Sequence, residues 1–274
     1  MYEVFYGLKE NPFSILPDPD FLYFDRRHNY AYAMMQYGIK SKAGFMVISG
    51  EIGCGKTTLV RHLLNNLEAD LNVGLVNNTH RERKNLLQLV MLALGLPYEG
   101  MSEVALLDAF QRFVIEQYGL GRGVLLIIDE AQNLNPNALE YLRMLSNINA
   151  DKNQLLQFLL VGQPQLKNLL ARPELEQFSQ RVEFDFHIKP FEPTDVQKYI
   201  EHRLAVAGRK TPLFTPEACA MIAGASQFIP RRINILCNTA LVYGFAAEAE
   251  FIDHVLVEEV LKDKAEFGAL SNTE

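Results

Sequence analysis

The chain has 274 residues, 49% of them hydrophobic, and a formal net charge of −7. That is enough apolar material for a sizeable core in one or two domains, and the acidic balance excludes a global basic field that would recruit nucleic acid or anionic lipid. Three cysteines (Cys54, Cys219, Cys237) and six dispersed histidines lack metal-ligand spacing, which excludes a zinc site and fits a reducing, cytoplasmic setting.

Residues 1–24 form a lead-in rich in aromatics and proline, from Phe5 and Tyr6 through Pro12, Phe13, Pro17 and Pro19 to Phe21, Tyr23 and Phe24. They show no basic segment followed by an apolar stretch, so they are no signal peptide. A helix is predicted from about Arg27 to Lys40, then a strand at Phe45-Met46-Val47-Ile48. The longest apolar runs, near 45–48, 124–128 and 155–161, fall short of the roughly 18 residues a membrane span needs, so the chain reads as soluble.

Directly after the first strand comes Gly50-Glu51-Ile52-Gly53-Cys54-Gly55-Lys56-Thr57, a phosphate-binding loop of the form G-x-x-x-x-G-K-[ST]. Its glycines let backbone N–H groups turn inward around the α- and β-phosphates of a nucleoside triphosphate. Lys56 reaches the β/γ oxygens, and the Thr57 hydroxyl is a ligand for Mg²⁺. From Thr58 the sequence turns helical, with Leu59, Leu63, Leu64 and Leu67 on one stripe, so the phosphates face a helix N-terminus.

Further strands are predicted at Val73–Val76, at Val124-Leu125-Leu126-Ile127-Ile128 and at Leu155–Val161, with helices near 81–94, 102–117 and 137–148. The continuous β-branched run 124–128 has the pattern of a strand buried on both faces of a parallel sheet. It ends in Asp129-Glu130: Asp129 is placed to hold Mg²⁺ through water, and Glu130 to polarise the attacking water. Glu183–Ile188 alternates apolar and polar, as a strand nearer the sheet edge does. Strands alternating with helices predict an α/β fold, a P-loop NTPase sheet flanked on both faces by helices, over residues 1–190.

After Pro190 no strand pattern remains. Helices are predicted from Pro193-Thr194-Asp195 to about Ala207, from Thr215-Pro216-Glu217, from about Arg232 to Ala247 and from Asp253 to Lys264. Residues 191–270 therefore read as an all-helical lid subdomain. Local basic groups remain at Asp25-Arg26-Arg27-His28, at 80–84 and at Arg231-Arg232; the middle one reads as the solvated start of a helix.

The opening Tyr6-Gly7-Leu8-Lys9-Glu10-Asn11-Pro12-Phe13-Ser14, with Asp129-Glu130-Ala131-Gln132-Asn133-Leu134, Val161-Gly162-Gln163-Pro164-Gln165-Leu166 and Ile229-Pro230-Arg231-Arg232-Ile233-Asn234, resembles the AAA+ ATPases called general secretion pathway protein A, or ExeA-type. The resemblance runs to about residue 265. It implies an ATP- and Mg²⁺-dependent ATPase that works as a homo-oligomer with a protein partner in a secretion, pilus or exopolysaccharide-export machine. It places the chain in the cytoplasm, or at the inner face of the inner membrane through a partner or a C-terminal anchor. The chain is then a short relative or the cytoplasmic part of a longer one.

The same resemblance implies roles for single residues. Gln163 corresponds to a sensor-1 residue near the γ-phosphate, Arg231 to the sensor-2 arginine of the lid, and Arg181 to a finger reaching a neighbouring subunit's nucleotide. Asn77 or Asn78 would hold Glu130 off line until a partner binds. In plainer readings Gln163 caps a turn before Pro164 and Arg181 pairs with Glu183. Two positions depart from the family's pattern: Phe228 stands where glycine is usual, and Cys54 where a small hydroxyl or apolar residue is. Transposition-helper ATPases lie nearby, so a DNA-associated ATPase is the alternative function, and a nucleotide-binding scaffold without turnover is the third.

Overall fold

The computed structural model describes all residues except 68–69, 78–85, 151–152 and 268–274. In chain order the elements are α1 (Tyr2–Phe5), α2 (Arg26–Lys40), β1 (Phe45–Gly50), α3 (Lys56–Asn65), β2 (Leu71–Val76), α4 (Leu86–Ala93), α5 (Glu103–Gly119) and β3 (Gly123–Ile128). There follow α6 (Pro136–Leu145), the two-residue strands β4 (Asn149–Ala150) and β5 (Asn153–Gln154), β6 (Leu156–Gly162), α7 (Gln165–Leu170), α8 (Glu176–Ser179) and β7 (Val182–Ile188). The chain closes with α9 (Pro193–Val206), α10 (Pro216–Ala225), α11 (Pro230–Ala246) and α12 (His254–Phe267).

Five strands form one sheet in the order β2-β3-β6-β1-β7, every neighbouring pair parallel. Residues Val124–Ile128 are wholly buried, as a strand covered on both faces must be. β7 lies at the edge and alternates exposed with partly buried residues, in agreement with its sequence pattern. Because all five strands run the same way, the loops after β1, β3 and β6 leave from one end of the sheet. The strand order also reverses there, β1 and β3 lying on either side of β6, the place where open α/β sheets bind ligands.

Contacts divide the chain into two compact units. The second, residues 29–52 and 63–188, holds the sheet. Its core packs Val90, Phe110 and Val114 with Leu126, Ile128, Leu142, Phe158 and Phe178, and the Phe45 and Phe158 rings stack at 4.8 Å. The buried Gln157 amide donates to the carbonyls of Gly38, Ile39 and Ala43, satisfying the end of α2 from the middle of the sheet.

The first unit is residues 1–28, 53–62 and 189–274. Tyr6, Leu8, Phe13 and Phe21 of the lead-in share a core with Phe191, Ile200, Leu204, Ile222, Ile233, Leu241 and Val257 of the C-terminal helices. The lead-in therefore groups with the helices, whereas the sequence reading joins it to the α/β core. The reason is a set of buried polar locks that no local pattern announces. Arg203, only 7% exposed, donates to the carbonyls of Pro12 and Ser14 and lies 4.6 Å over the Phe21 ring. Asn234 also donates to Ser14 and accepts from the Tyr199 hydroxyl.

The expected helix over 81–94 is seen as α4, its first residues lying outside the described ones. Most other boundaries move by one to a few residues. The β4–β5 hairpin, α7 and α8 have no counterpart in the sequence reading, because two- to six-residue elements carry no readable period.

Candidate functional site

β1 ends at Gly50, and the chain then turns through Glu51 and Ile52, both exposed, into Gly53. Gly53 and Gly55 take φ of +83° and +88°, conformations that side chains disfavour, and a Cβ on Gly53 would sit 2.6 Å from that of Arg231. A loop that visits the left-handed region at alternate residues curls its N–H groups to one side and makes a concave nest for an anion. Cys54 lies between the two glycines with its thiol buried. Lys56 opens α3 and is 7% exposed, and Thr57 and Thr58 follow it in the first turn. The Leu59 N–H closes that turn on the Gly55 carbonyl at 2.9 Å. The loop's residues thus fit a nucleotide's phosphates, which meet N–H donors, a helix N-terminus and an ammonium.

Arg231 is the second residue of α11, and its own N–H donates to the Gly53 carbonyl at 3.2 Å. The turn before it answers the question that Phe228 raises. Gln227 and Phe228 adopt φ of +53° and +60°, so Phe228 holds the left-handed conformation a glycine takes without penalty. The path is kept because the Phe228 carbonyl accepts from Phe191 N–H and the Ile229 N–H donates to Ser226.

At the end of β3, Asp129 is buried and its Oδ1 accepts the Glu130 N–H at 2.9 Å. Glu130 sits at φ +53°, a strained setting for a non-glycine residue of the kind that clusters at functional sites. Its Oε2 accepts from the side-chain amides of both Gln132 and Gln163, the latter at 3.0 Å. Gln132 Oε1 in turn accepts the Gln163 backbone N–H at 2.9 Å, which fixes which end of the Gln132 amide faces the carboxylate. Asp129, Glu130 and Gln163 are thus brought together where β3 and β6 end. Gln132 is a member that sequence reasoning left without a role; its spacing, two residues after Glu130 in a short 3₁₀ turn, was the available signal. Asn77 is exposed just past β2, and Asn78 lies outside the described residues.

Arg181 is placed elsewhere in this unit. Its Nη1 donates to Ser146 Oγ and Asn147 Oδ1, both at 2.8 Å, and to the Arg143 carbonyl at 3.4 Å, at the end of α6. Glu183 accepts instead from the Gly44 N–H at 2.6 Å. Arg172 is exposed and pairs with Glu174 at 3.5 Å.

Among the described residues, no group of three or more His, Cys, Asp or Glu could hold a metal ion unaided. Magnesium is the cation that does not need one, since it binds through one or two protein oxygens plus substrate phosphates. Nor, among those residues, is any helix long and apolar enough to cross a membrane.

Residues 39–170 match the AAA domain family. General secretion pathway protein A of Aeromonas hydrophila is 38% identical over 255 residues, which cover 93% of this chain and 47% of that protein. The chain thus spans about half the length of that curated relative. Among solved structures, the ORC2 protein of Aeropyrum pernix (ADPNP–ADP complexes) matches with a TM-score of 0.69 at 20% identity, over 96% of this chain and 75% of that one. Cdc6p from Pyrobaculum aerophilum matches with a TM-score of 0.66 at 16% identity, over 85% of this chain and 67% of that one. At such identities the two share the fold with this chain.

Proposed function

From the AAA domain match over residues 39–170 and the 38% identity to general secretion pathway protein A, we propose that this chain hydrolyses ATP to ADP and phosphate with Mg²⁺. The observation that carries the reading is the phosphate loop, whose two left-handed glycines lead into a helix opened by a buried lysine. Gly50 to Thr58 hold the phosphates, with Lys56 neutralising the β/γ oxygens. Thr57 and Asp129 serve the magnesium ion, which when bound withdraws charge from the transferring phosphoryl group. Glu130 orients the water, and Gln163 and Gln132 keep its carboxylate in place. Arg231 acts as the lid's own reporter of nucleotide state, and Arg181 completes the site of a neighbouring copy in a homo-oligomer.

The cellular role in this reading is that of a cytoplasmic motor or switch, at the inner membrane through a partner, for assembly of a bacterial secretion, pilus or polysaccharide-export system. The sequence kinship to general secretion pathway protein A supports it over a DNA-associated ATPase, and so does the net charge of −7.

The test is nucleotide binding and turnover with and without Mg²⁺, in wild type and Lys56→Ala. Binding that vanishes in the variant supports the reading; equal affinity in the two proteins overturns it. Hydrolysis stimulated by duplex DNA, with a steep loss on raising salt, would move the assignment to the DNA-associated class.

A further inference from the structure

Three buried groups, all in the first unit, meet behind the phosphate loop. Asp25 precedes α2, His28 lies in its first turn, and Cys54 is the loop residue between the two left-handed glycines; they are 5%, 2% and 1% exposed. His28 Nδ1 is 2.6 Å from Asp25 Oδ1, and its Nε2 is 2.9 Å from the Cys54 carbonyl oxygen. Asp25 Oδ1 also accepts the His28 backbone N–H at 2.7 Å, as an N-cap does. Burial opposes charge on the Asp25 carboxyl, but the bonds and charge that His28 supplies outweigh it and hold the group below the ordinary aspartate range. The Phe191 ring, with its centroid 5.8 Å away, flanks the imidazole.

A backbone carbonyl oxygen can only accept, so the bond to Cys54 is one that the imidazole Nε2 donates, with Nδ1 turned to Asp25. The peptide Cys54–Gly55 is trans and planar, and its N–H therefore points opposite to its C=O. Gripping the carbonyl from behind turns the Gly55 N–H toward the other side. Gly55 itself lets the ring approach: a Cβ there would lie 3.1 Å from His28 Nε2.

We propose that His28, braced by Asp25, is a positioning residue of the phosphate loop: it holds the Cys54 carbonyl so that the Gly55 N–H is aimed at a nucleotide phosphate before the nucleotide arrives. The inference rests on the nucleotide-binding reading above. A donor already aimed spares the ordering cost that a loose loop meets on binding. The basic cluster 25–28 in the sequence thus includes one member that is buried and turned inward, apart from Arg27, which donates to Pro190 and Glu192.

The test begins without nucleotide. Cys54, Cys219 and Cys237 are all buried cysteines that form no disulfide, so their alkylation rates, read by mass spectrometry, report loosening site by site. In His28→Ala the Cys54 rate should rise about tenfold while the other two stay at their wild-type rates, with a smaller rise in Asp25→Asn. The Kd for a non-hydrolysable ATP analogue should weaken on the order of tenfold in His28→Ala, the scale of one buried hydrogen bond. His28→Gln, whose amide can still donate to the Cys54 carbonyl, should recover much of that loss and keeps the question answerable if the alanine variant folds poorly.

A Cys54 rate that stays at the wild-type value, a rise at all three cysteines together, or an unchanged Kd each overturns the proposal. Failure of the wild-type protein to bind the analogue would sink the nucleotide reading itself, while the thiol rates still report on the clamp.

Discussion

The side-chain amide of Gln163 donates to the carboxylate of Glu130 at 3.0 Å, from the end of β6 to the end of β3. Gln132 donates to the same oxygen. Two amides on one carboxylate oxygen hold Glu130 in one direction, which suits a group that must polarise a water on cue. On the proposed reading, in which Gln163 senses the γ-phosphate and Glu130 orients the water, this bond lets the one pass its state to the other.

From this geometry Gln163→Ala and Gln132→Ala should each lower turnover roughly 10- to 100-fold, the equivalent of one hydrogen bond to a charged group, and change ATP affinity by less than about threefold. Glu130→Gln should retain ATP and stop turnover. Steady-state rates and equilibrium binding on the three proteins check it. A Gln132 variant at wild-type rate would restrict that residue to the architecture of the turn.

Much of this was legible beforehand, and the reason is periodicity. The runs 45–48 and 124–128 are long and apolar enough to declare buried strands, and the phosphate loop follows one of them at a fixed spacing. What stayed hidden depends on distant pairs. Gln132 meets Glu130 only because a 3₁₀ turn brings it back, and His28 meets Cys54 across 26 positions of sequence. Arg203 reaches the lead-in across 191 positions, so nothing around residue 203 could reveal that the first residues pack with the last helices. Phe228 shows the converse: a departure from a family's glycine marks a left-handed turn that the fold keeps at some strain.

Arg203 should therefore be a large contributor to the stability of its unit. Removing it leaves the Pro12 and Ser14 carbonyls with a buried donor gone and the Phe21 ring uncovered. Arg203→Ala should cost about 3 kcal/mol, a fall of roughly 6–12 °C in melting temperature, measurable by calorimetry. A change below about 1 kcal/mol would mean that the lead-in is held by its aromatics alone.

The three thiols should behave differently toward alkylation once nucleotide is present. Burial, and after it the carboxylates of Glu201 and Glu217, push the Cys219 thiol up to about 12, and burial raises Cys237 well above the usual range. Thiolate is the reactive form, so at pH 8 neither should label in the folded protein, and labelling of Cys219 should grow only as pH climbs toward 12. Cys54 sits inside the phosphate loop, where a bulky adduct collides with a bound phosphate. ATP should protect Cys54, and protein alkylated there should no longer bind nucleotide. Full modification of Cys54, confirmed by mass spectrometry, in protein that binds ATP normally would contradict this packing argument.

Arg181 offers the sharpest test of assembly. Within its own chain the guanidinium is bonded to Ser146, Asn147 and the Arg143 carbonyl at the end of α6, so serving a neighbour's site requires it to exchange those partners for a phosphate. Transition-state charge favours that exchange: in other nucleotide hydrolases an arginine finger contributes about 10³–10⁵ in rate. Specific activity should then rise with protein concentration, and Arg181→Ala should abolish turnover while keeping ATP affinity. Loss of the α6 contacts alone would instead lower the melting temperature and leave the rate per folded molecule intact. Mixing Arg181→Ala with Glu130→Gln protein separates the two roles, because at a shared interface the second supplies the arginine and the first supplies the carboxylate. Partial recovery of hydrolysis is the expected result. No recovery at concentrations where assemblies demonstrably form would confine Arg181 to bracing α6 and pass the finger role to the exposed Arg172.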